Sequence, residues 1–161
     1  MKLSDEVECI ELKGANVYLL YKDKNILIDT GLPFCKNKLI LNLRNALEEN
    51  AYIDSILLTH HDVDHIGNLN AVQEIYGGIA YINALDLPYA LGQKKRHGIK
   101  HIIEKTIKPE ISSNIQTFSE FNDADIKAIH MPGHTPGHTI FQYGKYLFIG
   151  DLFVHVNIKM K

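Results

Sequence analysis

The spacing of apolar residues along this chain changes several times, and each change marks an element. Two short apolar runs, Asn16 to Tyr21 and Asn25 to Asp29, flank the polar Lys22-Asp23-Lys24, which predicts a β-hairpin. From about Cys35 to Asn50, Leu39, Ile40, Leu43, Ala46 and Leu47 recur at helical spacing, while Lys36, Lys38, Arg44, Glu48 and Glu49 supply a wet face. That helix delivers the chain to Ser55 to Thr59, whose unbroken Ile56-Leu57-Leu58 reads as a buried strand. A strand, helix, strand unit with parallel pairing is therefore expected. Ile66, Leu69, Val72 and Ile75 mark a short helix ended by Gly77-Gly78, and Ile79 to Ile82 is the next strand. Ile115 to Phe118, Ile126 to His130, Thr139 to Tyr143 and Tyr146 to Ile149 follow as strands, the last two joined by a tight turn at Gly144-Lys145. The first half mixes strands with helices and the second half is mostly strands, which makes the chain α/β (α+β).

One stretch breaks this rhythm. From Leu85 to Pro109 the pattern weakens and turns basic, with Lys94, Lys95, Arg96, Lys100, Lys105 and Lys108, and the reading is a solvated helix resting on the core.

Composition narrows the field. At 161 residues the chain fits one domain, able to bury roughly two-thirds of its unfolded surface. With 17 basic and 19 acidic residues it carries a formal charge of -2, so its bulk electrostatics favour neither nucleic acid nor a charged membrane as partner. Asp5, Glu6 and Glu8 stand where a signal peptide needs an apolar core, and no run approaches the about eighteen apolar residues of a membrane span. A cytoplasmic location is the expectation. Cys9 and Cys35 form no C-x-x-C pair and are read as reduced thiols.

The candidate chemistry lies in the nine histidines, which cluster. In Thr59-His60-His61-Asp62-Val63-Asp64-His65-Ile66-Gly67, three histidines and two aspartates fall within six positions directly after an apolar strand. A packed core has no use for so many polar groups unless something binds them. Imidazole nitrogens and carboxylate oxygens hold zinc, iron or manganese, whereas calcium asks for oxygens almost throughout. The cluster also sits in the turn after a strand's C-terminal end, where open α/β sheets place their active sites. Two further strands end on potential ligands: one in His130-Met131-Pro132-Gly133-His134-Thr135-Pro136-Gly137-His138, the other in Gly150-Asp151.

Taken in order, these motifs resemble the metallo-β-lactamase superfamily, whose pattern is T-H-x-H-x-D-H-x-G, a P-G-H-T loop, an aspartate after glycine at a strand end, and a final histidine. Thr59 to Gly67, Pro132 to Thr135 and Gly150-Asp151 supply the first three, and Asp29-Thr30-Gly31 looks like the family's D-T-G. The resemblance covers about residues 16 to 151. It implies a four-layer αββα sandwich of two mixed sheets, here with its second half incomplete. It also implies two zinc sites, with iron or manganese as substitutes. His60 and His134 bind the first ion together with Asp62, Asp64 and His65 bind the second, and Asp151 bridges. The implied activity is hydrolysis by a metal-bound hydroxide of a small ester, lactone, thioester or related substrate, with Asp64 steering the proton.

The chain departs from the family in two places. Asp62 stands where the second histidine is expected, and its hard oxygen moves the preference toward iron or manganese. His61 occupies the x position and is expected to point away. The family's last histidine has no counterpart before Lys161, because His155 lies too close to Asp151 and is read as a surface residue, like His97 and His101. His130 and His138 are read as supporting residues. The expectation is a single domain over 1–161 lacking the family's C-terminal strand and helix, with a homodimer or domain swap covering the second sheet. Two other readings stand beside hydrolysis: a truncated non-catalytic metal-binding relic, and a diiron oxygen-reducing type of protein, for which a carboxylate at position 62 is the motive.

Overall fold

The structure is a computed structural model that describes residues 1–21, 23–95 and 114–153. His97, His101, His155 and most of the basic segment from Lys94 to Lys108 fall outside the described residues.

Six strands form the first sheet, in chain order: β1 (Val7–Ile10), β2 (Val17–Tyr21), β3 (Asn25–Ile28), β4 (Ser55–Leu57), β5 (Ile79–Ile82) and β6 (Ile115–Thr117). The first three are joined antiparallel and the last four parallel, so this sheet is mixed as expected. The second sheet holds β7 (Ile126–His130), β8 (Thr139–Tyr143) and β9 (Tyr146–Phe148). It too is expected to be mixed, yet all its described pairings are antiparallel, because short turns link its strands and no crossover helix intervenes. The helices are α1 (Lys36–Ala46), α2 (Val63–Ile66), α3 (Leu69–Tyr76) and α4 (Leu87–Ala90).

Side-chain alternation along the strands splits the core in two. Leu27, Ile56 and Ala80 sit in register and face the helices, where Leu39 and Leu43 of α1 and Leu69 and Val72 of α3 meet them. Ile28, Leu57 and Tyr81, one residue along, face Phe141, Phe148 and Ile126 of the second sheet. Each fully buried leucine contributes about 1.5–3 kcal/mol to the fold. Among the described residues the layers run helices, sheet, sheet.

Two expectations are corrected. The helix after Gly67 buries Tyr76, while Ile75 is 46% exposed, because the stripe through Leu69 and Val72 continues to position 76. Strand β1 lies in a stretch notable in the sequence only for its acids; four residues with Glu8 among them carry too little period to read. Gly77 ends α3 at φ 73°, a left-handed conformation suited to glycine, and its N–H donates to the Gln73 carbonyl.

Candidate metal centre

The C-terminal ends of β3 and β4 lie side by side; Asp29 follows the first directly and Thr59 lies two residues after the second. Both Asp29 oxygens accept from Thr59: Oδ1 from the N–H at 2.8 Å, Oδ2 from Oγ1 at 2.8 Å. β4 ends at Leu57, and the Thr59 N–H meets this carboxylate in place of a neighbouring strand. Asp29 itself stands at φ 60°, a conformation aspartate tolerates better than most residues. Its Oδ2 also lies 2.8 Å from His65 Nδ1, and Thr59 Oγ1 lies 3.0 Å from His60 Nδ1. The two imidazoles are thus held by Nδ1, which turns both Nε2 atoms toward the same space.

Onto that space converge the carboxylates and the third histidine. His134 Nε2 is 2.9 Å from Asp62 Oδ2 and 3.5 Å from Asp151 Oδ2. His65 Nε2 is 3.3 Å from Asp151 Oδ1, and His60 Nε2 is 3.7 Å from Asp62 Oδ2. Two groups have donor atoms close enough to share an ion, each within 4.8 Å: His60, Asp62 and His134, and His60, His65 and Asp151. Asp64 stands at the margin, its Oδ2 3.9 Å from His65 Nε2, and belongs to neither group.

These residues fit a divalent ion. His60 Nε2 and His65 Nε2 are buried without a hydrogen bond of good geometry, an arrangement that costs free energy unless a ligand takes up the lone pairs. Burial pushes the His65 ring down, but the Asp29 charge and contacts to Asp151 and Asp29 overcome it and hold the ring at about 10. Its contact with His65 holds Asp151 at about 2. Burial, with the charge of His65, keeps His60 below the ordinary histidine range.

His61 turns away from the ligand groups, as its place between His60 and Asp62 suggests. It is buried, its ring stacks on Tyr89 at 4.7 Å, and its Nδ1 is 2.9 Å from Asp86 Oδ2. His130 is exposed, with Nε2 2.9 Å from the Pro136 carbonyl. His138 is fully buried behind His60, with ring centroids 5.3 Å apart; burial and then the charges of His60 and His134 push it below the ordinary histidine range. Asp86 is the residue that sequence reasoning passed over. It falls in the weakly patterned stretch after Leu85, and its partners Thr135 and Gly137 lie about fifty positions further on, so no local signal marks it.

The comparisons agree with this geometry. The sequence model of the metallo-beta-lactamase superfamily matches residues 10–160, and the chain belongs to that superfamily. "Probable metallo-hydrolase YflN" of Bacillus subtilis (strain 168) is 28% identical over 171 residues, covering 93% of this chain and 65% of that protein. A hydroxyacylglutathione hydrolase of Pectobacterium atrosepticum is 29% identical over 108 residues, covering 66% of this chain and 36% of that one. A metallo-β-lactamase of Cronobacter sakazakii with a HARLDQ motif has the same fold, with a TM-score of 0.69 at 22% identity over 84% of this chain and 54% of that one. The chain therefore spans between about a third and two-thirds of the length of these relatives. Membership implies a divalent-metal site, and the two groups are its candidate donors. Among the described residues no helix is long and apolar enough to cross a membrane.

Proposed function

We propose that this chain is a metal-dependent hydrolase for a small ester, thioester or lactone, with two zinc ions as the resident metals. The observation that carries the reading is the convergence of Nε2 and carboxylate oxygens from three separate strand ends into two groups that share His60. His60, Asp62 and His134 would hold the first ion, and His65 and Asp151 the second, with Asp64 beside it. A divalent ion bound there acidifies water and polarises a carbonyl oxygen.

The chain's own groups do the rest. Asp29 and Thr59 fix the ring orientation of His65 and His60 before substrate arrives. Asp64, partly exposed beside His65, offers Oδ2 as the acceptor for the proton released when water attacks. The relatives named hydroxyacylglutathione hydrolase make a hydroxyacyl thioester the first substrate to try. Zinc-loaded protein is expected to hydrolyse such a thioester or a 4-nitrophenyl ester, and to lose the activity on chelation and in His134→Ala. Hydrolysis that survives both changes contradicts the reading.

A specific observation keeps iron in view. Each group is two imidazoles and one carboxylate, a donor set that non-haem iron also takes. Protein isolated with iron, visible absorbance and oxygen consumption in place of hydrolysis would move the assignment to the oxygen-reducing type.

A further inference from the structure

Asp86 belongs to neither ligand group, yet its carboxylate is 0% exposed at the start of α4. Burying a carboxylate is costly unless its lone pairs are met. Here they are met from two directions. Oδ2 accepts from Thr135 Oγ1 at 2.7 Å and from the His61 N–H at 3.2 Å, while Oδ1 accepts from the Gly137 N–H at 2.7 Å. Burial pushes the acid up, but His61, Thr135 and the Gly137 N–H outweigh it and hold its pKa below the ordinary range.

These donors come from the two loops that carry the first ligand group. His61 stands between His60 and Asp62, and Thr135 is next to His134. The two loops belong to different sheets; among the described residues no strand pairing joins those sheets, and one backbone bond, the Thr139 N–H on the Thr59 carbonyl at 2.8 Å, links them. The fit is close: a Cβ at Gly137 would lie 2.8 Å from Asp86 Cγ, Oδ1 and N, so only glycine lets the His134 loop settle on the carboxylate. Asp86 is in turn held from its own side, its N–H on the Asn83 carbonyl at 2.9 Å and its carbonyl accepting from the Ala90 N–H at 3.0 Å. Tyr89 of the same short helix stacks on the His61 ring at 16°, and the far ring nitrogen, Nε2, lies 3.8 Å from Asp62 Oδ1.

We infer that Asp86 is a positioning residue of the metal centre: its buried carboxylate clips the His60–Asp62 loop to the His134 loop. The inference rests on the reading that His60, Asp62 and His134 bind an ion. Without the clip, the loops stay joined by the Thr139 N–H on the Thr59 carbonyl at 2.8 Å, but the stretches that carry Asp62 and His134 lose a shared anchor, so the metal must order more on binding and affinity falls.

The test is a Co2+ titration of metal-free protein, followed by visible absorption and by competition with a chelator, alongside thermal melts of the metal-free forms. Asp86→Asn puts an amide N–H2 against donors. Thr135→Val removes one donor at nearly constant volume and carries the same test if Asp86→Asn does not fold. Leu43→Ala, in the core under α1, is the control for plain destabilisation. The expected result is a fall in Co2+ affinity of about 10–100-fold for Asp86→Asn, smaller but in the same direction for Thr135→Val, each with a changed cobalt spectrum. Leu43→Ala is expected to lower the melting temperature and keep the wild-type affinity and spectrum. Variants at position 86 or 135 that bind Co2+ like the wild type, or lose no more affinity than Leu43→Ala, overturn the inference. Wild-type protein that binds no Co2+ refutes the metal reading itself, a separate outcome.

Discussion

At the scale of single residues, the centre is built by groups that touch the ligands as much as by the ligands. Asp29 holds Thr59 by two bonds and His65 by one, in a conformation strained for most side chains. Asp29→Ala leaves the Thr59 N–H buried and unmet, and leaves His65 Nδ1 only the Thr59 Oγ1 at 3.3 Å. It is expected to lower stability by about 1–3 kcal/mol in urea unfolding at constant slope, and to weaken metal binding as well. An unchanged midpoint would show that the carboxylate is not the anchor. The candidate ligands are legible because the chain writes them locally: His60, Asp62 and His65 within one loop, and His134 in its rigid Pro132-Gly133 setting. Asp86 was not legible, because its role exists only once Thr135 and Gly137 fold back onto it. His61 illustrates both cases. Its position predicted that it turns away, but nothing in the sequence named Asp86 and Tyr89 as its neighbours.

At the scale of elements, periodicity read correctly wherever an element was long or fully buried. The β2–β3 hairpin, α1 and the parallel β3–β4 pair all came from apolar spacing, with ends shifted by a few residues because loop contacts, not propensity, stop them. The four-residue strand β1 and the short helices α2 and α4 did not, since so few residues hold no full period. On α3 the helical face is set by what lies beneath it, and this gives a direct contrast. Leu69→Ala, at a 0% exposed position, is expected to cost about 2–5 kcal/mol. Ile75→Ser, at 46% exposure, is expected to stay within about 1 kcal/mol. Equal losses in thermal melts would place Ile75 in the core and contradict the packing.

At the scale of the whole molecule, two sheets share one apolar interior, and their loops meet at one end to make the centre. Asp86 is part of that junction, which gives the fold an acid limit. Its folded pKa is depressed, so its contribution is fully present above the ordinary carboxylate range, near pH 4. It is lost as pH falls through that range toward the lower folded value. Metal-free protein is therefore expected to lose stability as pH is lowered from about 5 to 3, with a shallower fall in Asp86→Asn. Parallel curves for the two proteins would remove Asp86 from that limit.

The proposed hydrolase needs six side chains from three strand ends, His60, Asp62, Asp64, His65, His134 and Asp151, to form a binuclear metal centre. Elemental analysis of purified protein beside its His134→Ala variant tests it most directly. About two divalent ions per wild-type chain are expected, with the loss of at least one in the variant. Equal metal content in the two proteins would contradict it.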